Sequence, residues 1–423
     1  MKIAIIGSGI AGNVVAHHLH RTHDITVFEA AGHIGGHTHT HTVQIDGETH
    51  EIDTGFIVFN DWTYPNFIAL LDELNVPAQP SAMSFSVRNE HSGLEYNGTT
   101  LNTLFAQRRN LLRPAFHRMI RDILRFNREA PALLEAAQEI ALGDYLANRK
   151  YSPQFINDYL IPMGAAIWST EPARMLAFPA RFFVRFFHNH GMLSVDQRPQ
   201  WRAIRGGSAR YVDKLVAPFR QRIRLHTPVE TVRRLPQGVM VKARGVEAEC
   251  FDHVFFACHS DQALQLLADA SPLEREVVGA IPYQENEAVL HTDTTLLPRT
   301  RRAWAAWNYH VMGASGQSAA TLTYNMNMLQ TLQSRHTFCV TLNRTAHIAP
   351  GKIIKRLTYH HPLYTPEGVA AQQRQHEVNR ARTYFCGAYW RYGFHEDGVV
   401  SALNALKHFE QATHAQRDLS RVA

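Results

Sequence analysis

The sequence predicts an α/β fold in which a parallel-sheet domain, built from separated segments, is interleaved with an α+β domain that fills the gaps. Three observations predict it. "KIAIIGSGIAGNVVAHHLHRTHDITVFEA" at the N-terminus reads as strand, glycine turn, helix and strand. "FDHVFFACHS", beginning at Phe251, is a short buried strand of the kind that returns to such a sheet. "TYFCGAYWRYGFHEDGVVSALNAL", from Thr383 to Leu406, supplies a further strand, loop and helix. A chain of 423 residues also exceeds what one small core requires.

The first strand is the apolar run Ile3 to Ile6. Gly7, Gly9 and Gly12 then form G-x-G-x-x-G, and a helix is expected from Ile10 and Ala11 to about Thr22. Gly7 permits the tight turn, Gly9 lets the backbone approach a pyrophosphate, and Gly12 lets helix and strand pack closely. The helix N-terminus offers unpaired N–H groups and the positive end of its dipole to phosphate oxygens. Glu29 ends the second strand, where a carboxylate accepts hydrogen bonds from a ribose 2′-OH and repels a 2′-phosphate. A glycine-rich turn alone would be weak evidence. Here the strand, helix, second strand and acid all stand in the required order, so the segment reads as Rossmann-like and dinucleotide-binding.

Next comes "GHIGGHTHTHT", with His33, His37, His39 and His41. Alternating histidines on one strand face invite a metal reading, but a metal shell needs facing ligands with an acid or thiol, so no metal is expected. The glycine pair is the more informative part. Glu29, Gly35, Gly36 and Thr40 match the E-x5-G-G-R-x-x-T signature, so the segment resembles the amine-oxidase and phytoene-desaturase-like flavoproteins. That resemblance implies FAD in a GR2-type Rossmann-like domain, with Gly35, Gly36 and the adjoining His37 and Thr38 crossing the pyrophosphate. His37 stands where the family has arginine, and an imidazole can still donate a hydrogen bond there. "EIDTGFIVFN" extends the match through Asp53, Gly55, Phe56 and Phe59 to the segment beside the flavin ring, after a hairpin expected at Asp46-Gly47.

The resemblance continues along the chain. Gly206-Gly207-Ser208 precede a helix with Tyr211, Leu215 and Phe219 on one face, and Val229 takes the family's adenine-contacting place. Cys258, at the end of its strand, reads as a small residue filling space. Near the C-terminus the resemblance implies Gly387 at the flavin, and Gly398 and Val399 as N–H donors at a helix start capped by Asp397. Tyr389, Trp390 and Tyr392 are candidates for one side of an aromatic cage. His395 and Glu396 are a candidate acid–base pair, or simply polar residues opening a helix. The FAD domain is thus expected at 1–64, 200–260 and 383–423, and the substrate domain at 65–199 and 261–382. A second G-x-G-x-x-G is not found, "GASGQS" at 313 included, so no separate NAD(P)H domain is expected.

In the intervening blocks, seven arginines against one aspartate lie between Gln107 and Arg128. After Pro114 the apolar residues Phe116, Met119, Ile120, Ile123 and Leu124 follow helical spacing, ringed by Arg118, Arg121, Arg125 and Arg128. This is one form of an anionic-membrane-surface helix, and equally an ordinary core helix with solvated arginines. "ARFFVRFFHNHGML" adds phenylalanines that either line an apolar tunnel or form core. The composition, 45% hydrophobic and 19% charged with a net charge of +6, is globular, and no nucleic-acid motif accompanies the basic residues. Four dispersed cysteines fit a reducing compartment. Neither a signal peptide nor a membrane-spanning run is read, which suggests a cytoplasmic protein, peripheral on the inner membrane face if the basic helix docks. The oligomeric state is left open.

The "GFHEDG" ending and the HTHT loop resemble bacterial flavoproteins described only as predicted NAD/FAD-binding proteins and often encoded beside cyclopropane-fatty-acyl-phospholipid synthases. The resemblance implies an FAD-dependent oxidoreductase of oxidase or desaturase type. It would pass hydride from a lipid-like, modified fatty acyl substrate to flavin N5. The alternatives are an amine oxidase acting on a soluble amine and a non-catalytic flavin-binding protein.

Overall fold

A computed structural model describes residues 1–312 and 319–422, so the GASGQS segment at 313 lies outside the described residues. The N-terminal reading becomes the centre of a five-stranded sheet in the order Ile223–Arg224, Asp24–Phe28, Lys2–Ile6, His253–Phe256 and Thr383–Phe385. All its pairings are parallel, with Ile5 lying between Val27 and Phe255. Strand periodicity explains its two covered faces. Ile3, Ile5, Ile25, Val27 and Phe255 pack under helices Ile10–Leu19 and His395–Val422, while Ala4, Ile6, Phe28, Val254 and Phe256 face a three-stranded antiparallel sheet.

Two ends differ from expectation. The first helix stops at Leu19 because the N–H groups of Thr22 and His23 both return to the Leu19 carbonyl, at 3.1 and 2.9 Å. The last helix starts at His395, before Asp397-Gly398. The hairpin falls between Thr40–Ile45 and Glu48–Asp53, turning at Asp46 (φ 48°) and Gly47 (φ 80°), the two positive angles that a type I′ turn demands.

The intervening blocks build a seven-stranded sheet. Its order is Ile353–Pro362, Tyr283–His291, Cys339–Leu342, Leu322–Asn325, Trp307–Val311, Phe85–Asn89 and Glu95–Asn97. Helices pack on one side of it. Pro114–Glu129 begins with proline at its first turn, where no N–H is needed, and buries Phe116, Met119 and Phe126. Arg118, Arg121 and Arg128 are exposed around a surface recess of about 710 Å³ that Lys150 and Asp122 also line, while Arg125 is half-buried over the Tyr151 ring at 4.0 Å. Helix Ala180–Asn189 buries Phe182, Phe183, Phe186 and Phe187. No helix among the described residues is long and apolar enough to cross a membrane.

Candidate active site

A cavity of about 790 Å³ runs from the first glycine turn to the face of the seven-stranded sheet. That is within the range of about 300–1,000 Å³ usual for small-molecule and cofactor pockets. At one end Gly7, Gly9, Ile10 and Ala11 present the first turn of the N-terminal helix, with Glu29, Gly35, Gly36 and His37 alongside. Gly7 adopts φ 104°, a conformation that side chains rarely take. A Cβ on Gly12 would stand 2.0 Å from the Gly7 carbonyl oxygen, whereas one on Gly9 would meet nothing within 4 Å. Gly12 is therefore a packing residue, and Gly9 keeps cavity space open. Gly36 (φ 59°) folds so close that its Cβ would lie 3.1 Å from Gly9 Cα, so the two glycine segments face each other across a backbone-lined cradle.

Glu29 is held in place. Its Oε2 accepts from the Ser8 N–H at 2.9 Å and the Ser8 hydroxyl at 2.6 Å, and its Oε1 accepts from the Ala31 N–H at 2.8 Å. The carboxylate is thus pre-oriented, with acceptor capacity left on Oε1. Val229, the first residue of its strand, and Cys258 both line the cavity. Burial pushes the Cys258 thiol up to about 12, so it stays protonated.

The alternating histidines do not form one row. The rings of His33 and His39 stack at 3.9 Å, and His39 lies 4.1 Å from His41. His37 turns the other way, stacked on Tyr359 at 5.1 Å and 5.6 Å from His361. Its Nε2 is buried without a protein partner. No group of three or more His, Cys, Asp and Glu among the described residues is arranged to hold a metal ion.

Several residues expected at the cofactor lie away from the cavity, each for a definite reason. Thr38 is buried, and its Oγ1 lies 2.7 Å from the Tyr211 hydroxyl and 2.9 Å from His395 Nε2. Asp53 is a buried node: its Oδ1 accepts from Thr40 Oγ1 at 2.6 Å and Ser208 Oγ at 2.7 Å, and Gln330 reaches its Oδ2. Burial lifts its carboxyl to about 6, against the pull of those hydrogen bonds. Phe59 is core. Gly55 and Phe56 do line the cavity, and a Cβ on Gly55 would strike the His37 carbonyl at 2.1 Å.

At the C-terminal helix the expected pair separates. His395 lines the cavity, stacked on Phe56 at 3.5 Å with Nε2 between Thr38 and the Tyr211 hydroxyl, and burial keeps it neutral. Glu396 points elsewhere: its carboxylate accepts from the N–H groups of Asn66 (3.2 Å) and Phe67 (2.9 Å), opening helix Pro65–Glu73. It is a helix cap donated from another element. Asp397 is not the N-cap but lies inside the helix, its Oδ2 accepting from the N–H groups of Tyr392 (3.2 Å) and Phe394 (2.9 Å). Gly398 is a contact point, since a Cβ there would meet Ile10 Cγ2 at 2.6 Å, and Val399 is core. The residues that bring the helix start to the cavity are Gly393, Phe394 and His395.

Gly387 and Tyr389 line the cavity, while Trp390 packs into the core behind it. The far wall is formed by Trp168, Trp307, Tyr324, Leu342, Leu357 and Tyr364. None of these carries a local sequence motif. The helix 180–189 phenylalanines do not line the space but hold its wall from behind: Phe182 stacks on Tyr364 at 5.0 Å, and Phe186 lies 4.9 Å from Trp168.

The glycine cradle, the anchored Glu29 and the unpartnered His37 nitrogen together fit a dinucleotide running from Val229 to the start of the last helix. Comparisons with known proteins agree. Residues 10–296 match the family described as flavin containing amine oxidoreductase. The fold is similar to that of cyclohexylamine oxidase from Brevibacterium oxydans IH-35A, with 15% identity, 97% of this chain and 99% of that one covered, and a TM-score of 0.70. It is also similar to putrescine oxidase bound to putrescine (15% identity, 97% and 99% covered, TM-score 0.66). A third similar fold is the CLA-producing fatty acid isomerase from P. acnes (14% identity, 96% and 98% covered, TM-score 0.62). Among curated proteins no match was found.

Proposed function

The chain belongs to the flavin containing amine oxidoreductase family, and from that premise we propose that this FAD-dependent oxidoreductase dehydrogenates an extended apolar, fatty-acyl-like substrate. When bound, FAD supplies the two-electron acceptor that takes the substrate hydride. The protein's own residues bind, orient and enclose. The observation that carries the reading is the far wall: Trp168, Trp307, Tyr324, Leu342, Leu357 and Tyr364 present apolar and aromatic surface. Glu29 is the sole carboxylate lining the described cavity, and it lies at the nucleotide end. An ammonium substrate would find no ion-pair partner beside that wall, and burying its charge unpaired is costly. An acyl chain would replace water against apolar surface, at about 25 cal/mol per Å².

A second reading, oxidation of a soluble amine, is favoured by the aromatic rings themselves. Tyr392, Tyr359 and Trp168 line the cavity, and such faces attract cations. Anaerobic mixing separates the two. Bleaching of the flavin band near 450 nm by methylated or unsaturated phospholipids and fatty acids, and not by amines, is the expected result. Bleaching by amines alone overturns the acyl reading.

The surface of residues 101–128 adds a further proposal, contact with anionic lipid. Leu101 (76% exposed), Leu112 (88%) and Leu124 (53%) stand out among Arg108, Arg109, Arg113, Arg118 and Arg121. Exposed leucines beside arginines combine apolar insertion with attraction to phosphate headgroups.

A further inference from the structure

We propose that His37, His259 and His361 supply the counter-charge to the FAD pyrophosphate, and that this cluster takes up a proton when the cofactor binds. The inference rests on the FAD assignment above and goes beyond it. A pyrophosphate brings two negative charges into the cradle, and the helix N-terminus offsets only about half a charge. The described residues lining the cavity include no lysine and no arginine, but seven histidines: His33, His37, His39, His259, His360, His361 and His395.

Three of them converge from separate parts of the chain. His37 follows the glycine pair, His259 opens helix Ser260–Leu266, and His361 ends strand Ile353–Pro362. His37 lies 5.6 Å from His361 and 6.0 Å from His259, ring centre to ring centre. Each ring is backed on another side. His37 stacks on Tyr359 at 5.1 Å, and His259 stacks on Tyr283 at 4.4 Å. The Asn286 side chain sets the tautomer of His361. Its Oδ1 accepts from Asn343 at 2.8 Å, so its Nδ2 faces His361 Nδ1 at 3.1 Å as donor, which leaves the ring proton on Nε2. His37 Nε2 is buried with no partner in the protein. Neutral His37 spends its one N–H on the His360 carbonyl, so this second ring nitrogen donates to a phosphate oxygen only once it has gained a proton.

The cluster is neutral by itself. Burial first, then mutual repulsion, pulls His259 and His361 down to about 3, and burial pulls His37 down to about 4 despite the His360 carbonyl. The groups facing it from every side leave that unchanged. His33 and His39 lie on its own loop, Tyr359 and His360 on the strand, and His395 on the last helix. Tyr283 and Glu285 lie on the neighbouring strand, with Glu285 engaged by His360 at 3.6 Å. Cys258 and Asp261 flank His259, and Glu29 is held at the nucleotide end by Ser8 and Ala31. A dianion placed against neutral imidazoles raises their proton affinity, so binding gathers a proton and weakens as pH rises. An arginine at position 37 would carry its charge at every pH and remove that link.

The test uses the holoenzyme, whose bound flavin is diluted out between pH 6 and 8 and read by the fluorescence of released FAD. One linked proton gives a dissociation constant rising by up to about tenfold per pH unit. Calorimetric titration of FAD into stripped protein, in buffers of different ionisation enthalpy, should show proton uptake. In His37→Arg the pH slope should flatten. His361→Gln should reduce it if the arginine variant misfolds. A dissociation constant independent of pH without proton uptake, or an undiminished slope in both variants, overturns the proposal and leaves the FAD reading intact. A protein that purifies without flavin and fails to bind added FAD overturns both.

Discussion

Replacing Gly9 by alanine separates what the glycine turn does for the fold from what it does for the cofactor. The backbone at Gly9 has φ −69° and ψ −177°, open to any L-residue, and the added Cβ would meet no protein atom within 4 Å. Two small effects on stability oppose each other. Alanine lowers the entropy of the unfolded chain, by about 0.4–1 kcal/mol, and is a poorer helix N-cap than glycine by a similar amount. The Gly9→Ala protein should therefore unfold within about 1 kcal/mol of the parent. The methyl group enters cavity space opposite Gly36, and a methyl that crowds a close contact costs about 1–3 kcal/mol. FAD should then bind roughly 5- to 150-fold more weakly. Gly12→Ala is the control. Alanine is the better helix former, yet its Cβ would sit 2.0 Å from the Gly7 carbonyl oxygen, so that variant should lose about 3 kcal/mol or more. The assays are urea unfolding of flavin-free protein and FAD titration by fluorescence quenching. Unchanged FAD affinity in Gly9→Ala would refute the reasoning, because the open space would then not be cofactor space.

Glu396→Gln should lower stability by about 1–3 kcal/mol, since it weakens three charge-assisted bonds, two from Asn66 and one from Phe67, while substrate-driven flavin reduction stays within about twofold. Reduction slowed a hundredfold at unchanged stability would restore Glu396 to the chemistry. Asp397, raised by burial to about 7, titrates near 3.9 when unfolded, so its contribution is present below about 4 and lost as pH rises through 7. Asp397→Asn should gain on the parent by up to about 1.4 kcal/mol per pH unit across that window, and urea unfolding at several pH values would expose a flat difference as the contrary result. For the lipid surface, flotation with vesicles rich in anionic phospholipid should recover the parent and lose a variant carrying Arg118→Ala, Arg121→Ala and Leu112→Asp. Equal recovery of both proteins counts against docking there.

Much of the scaffold was legible because its causes are local. A positive φ at Gly7 and Gly36, the Asp46-Gly47 turn and the short continuous apolar runs within Lys2–Ile6 and His253–Phe256 all depend on neighbours within a few positions. The basic helix at Pro114–Glu129 likewise followed from helical spacing and a proline at its start. The site chemistry was less legible. The acid next to His395 looked like its partner, but a helix projects successive side chains in different directions, and Glu396 met a helix start 329 and 330 residues earlier. The phenylalanines of Ala180–Asn189 announced apolar surroundings without telling whether they form the wall or its backing.

Sequence by itself determined the strand–turn–helix–strand unit, the family it belongs to and hence the cofactor, since backbone freedom and short-range spacing are written where they act. Tertiary structure alone decided that His37 turns from His39 and His41 toward His259 and His361, and that six residues from five separate segments make the far wall. The physical reason is that burial, ring stacking and the satisfaction of a polar atom depend on what the folded chain brings within a few ångströms. Between residues hundreds of positions apart, no local pattern carries that information.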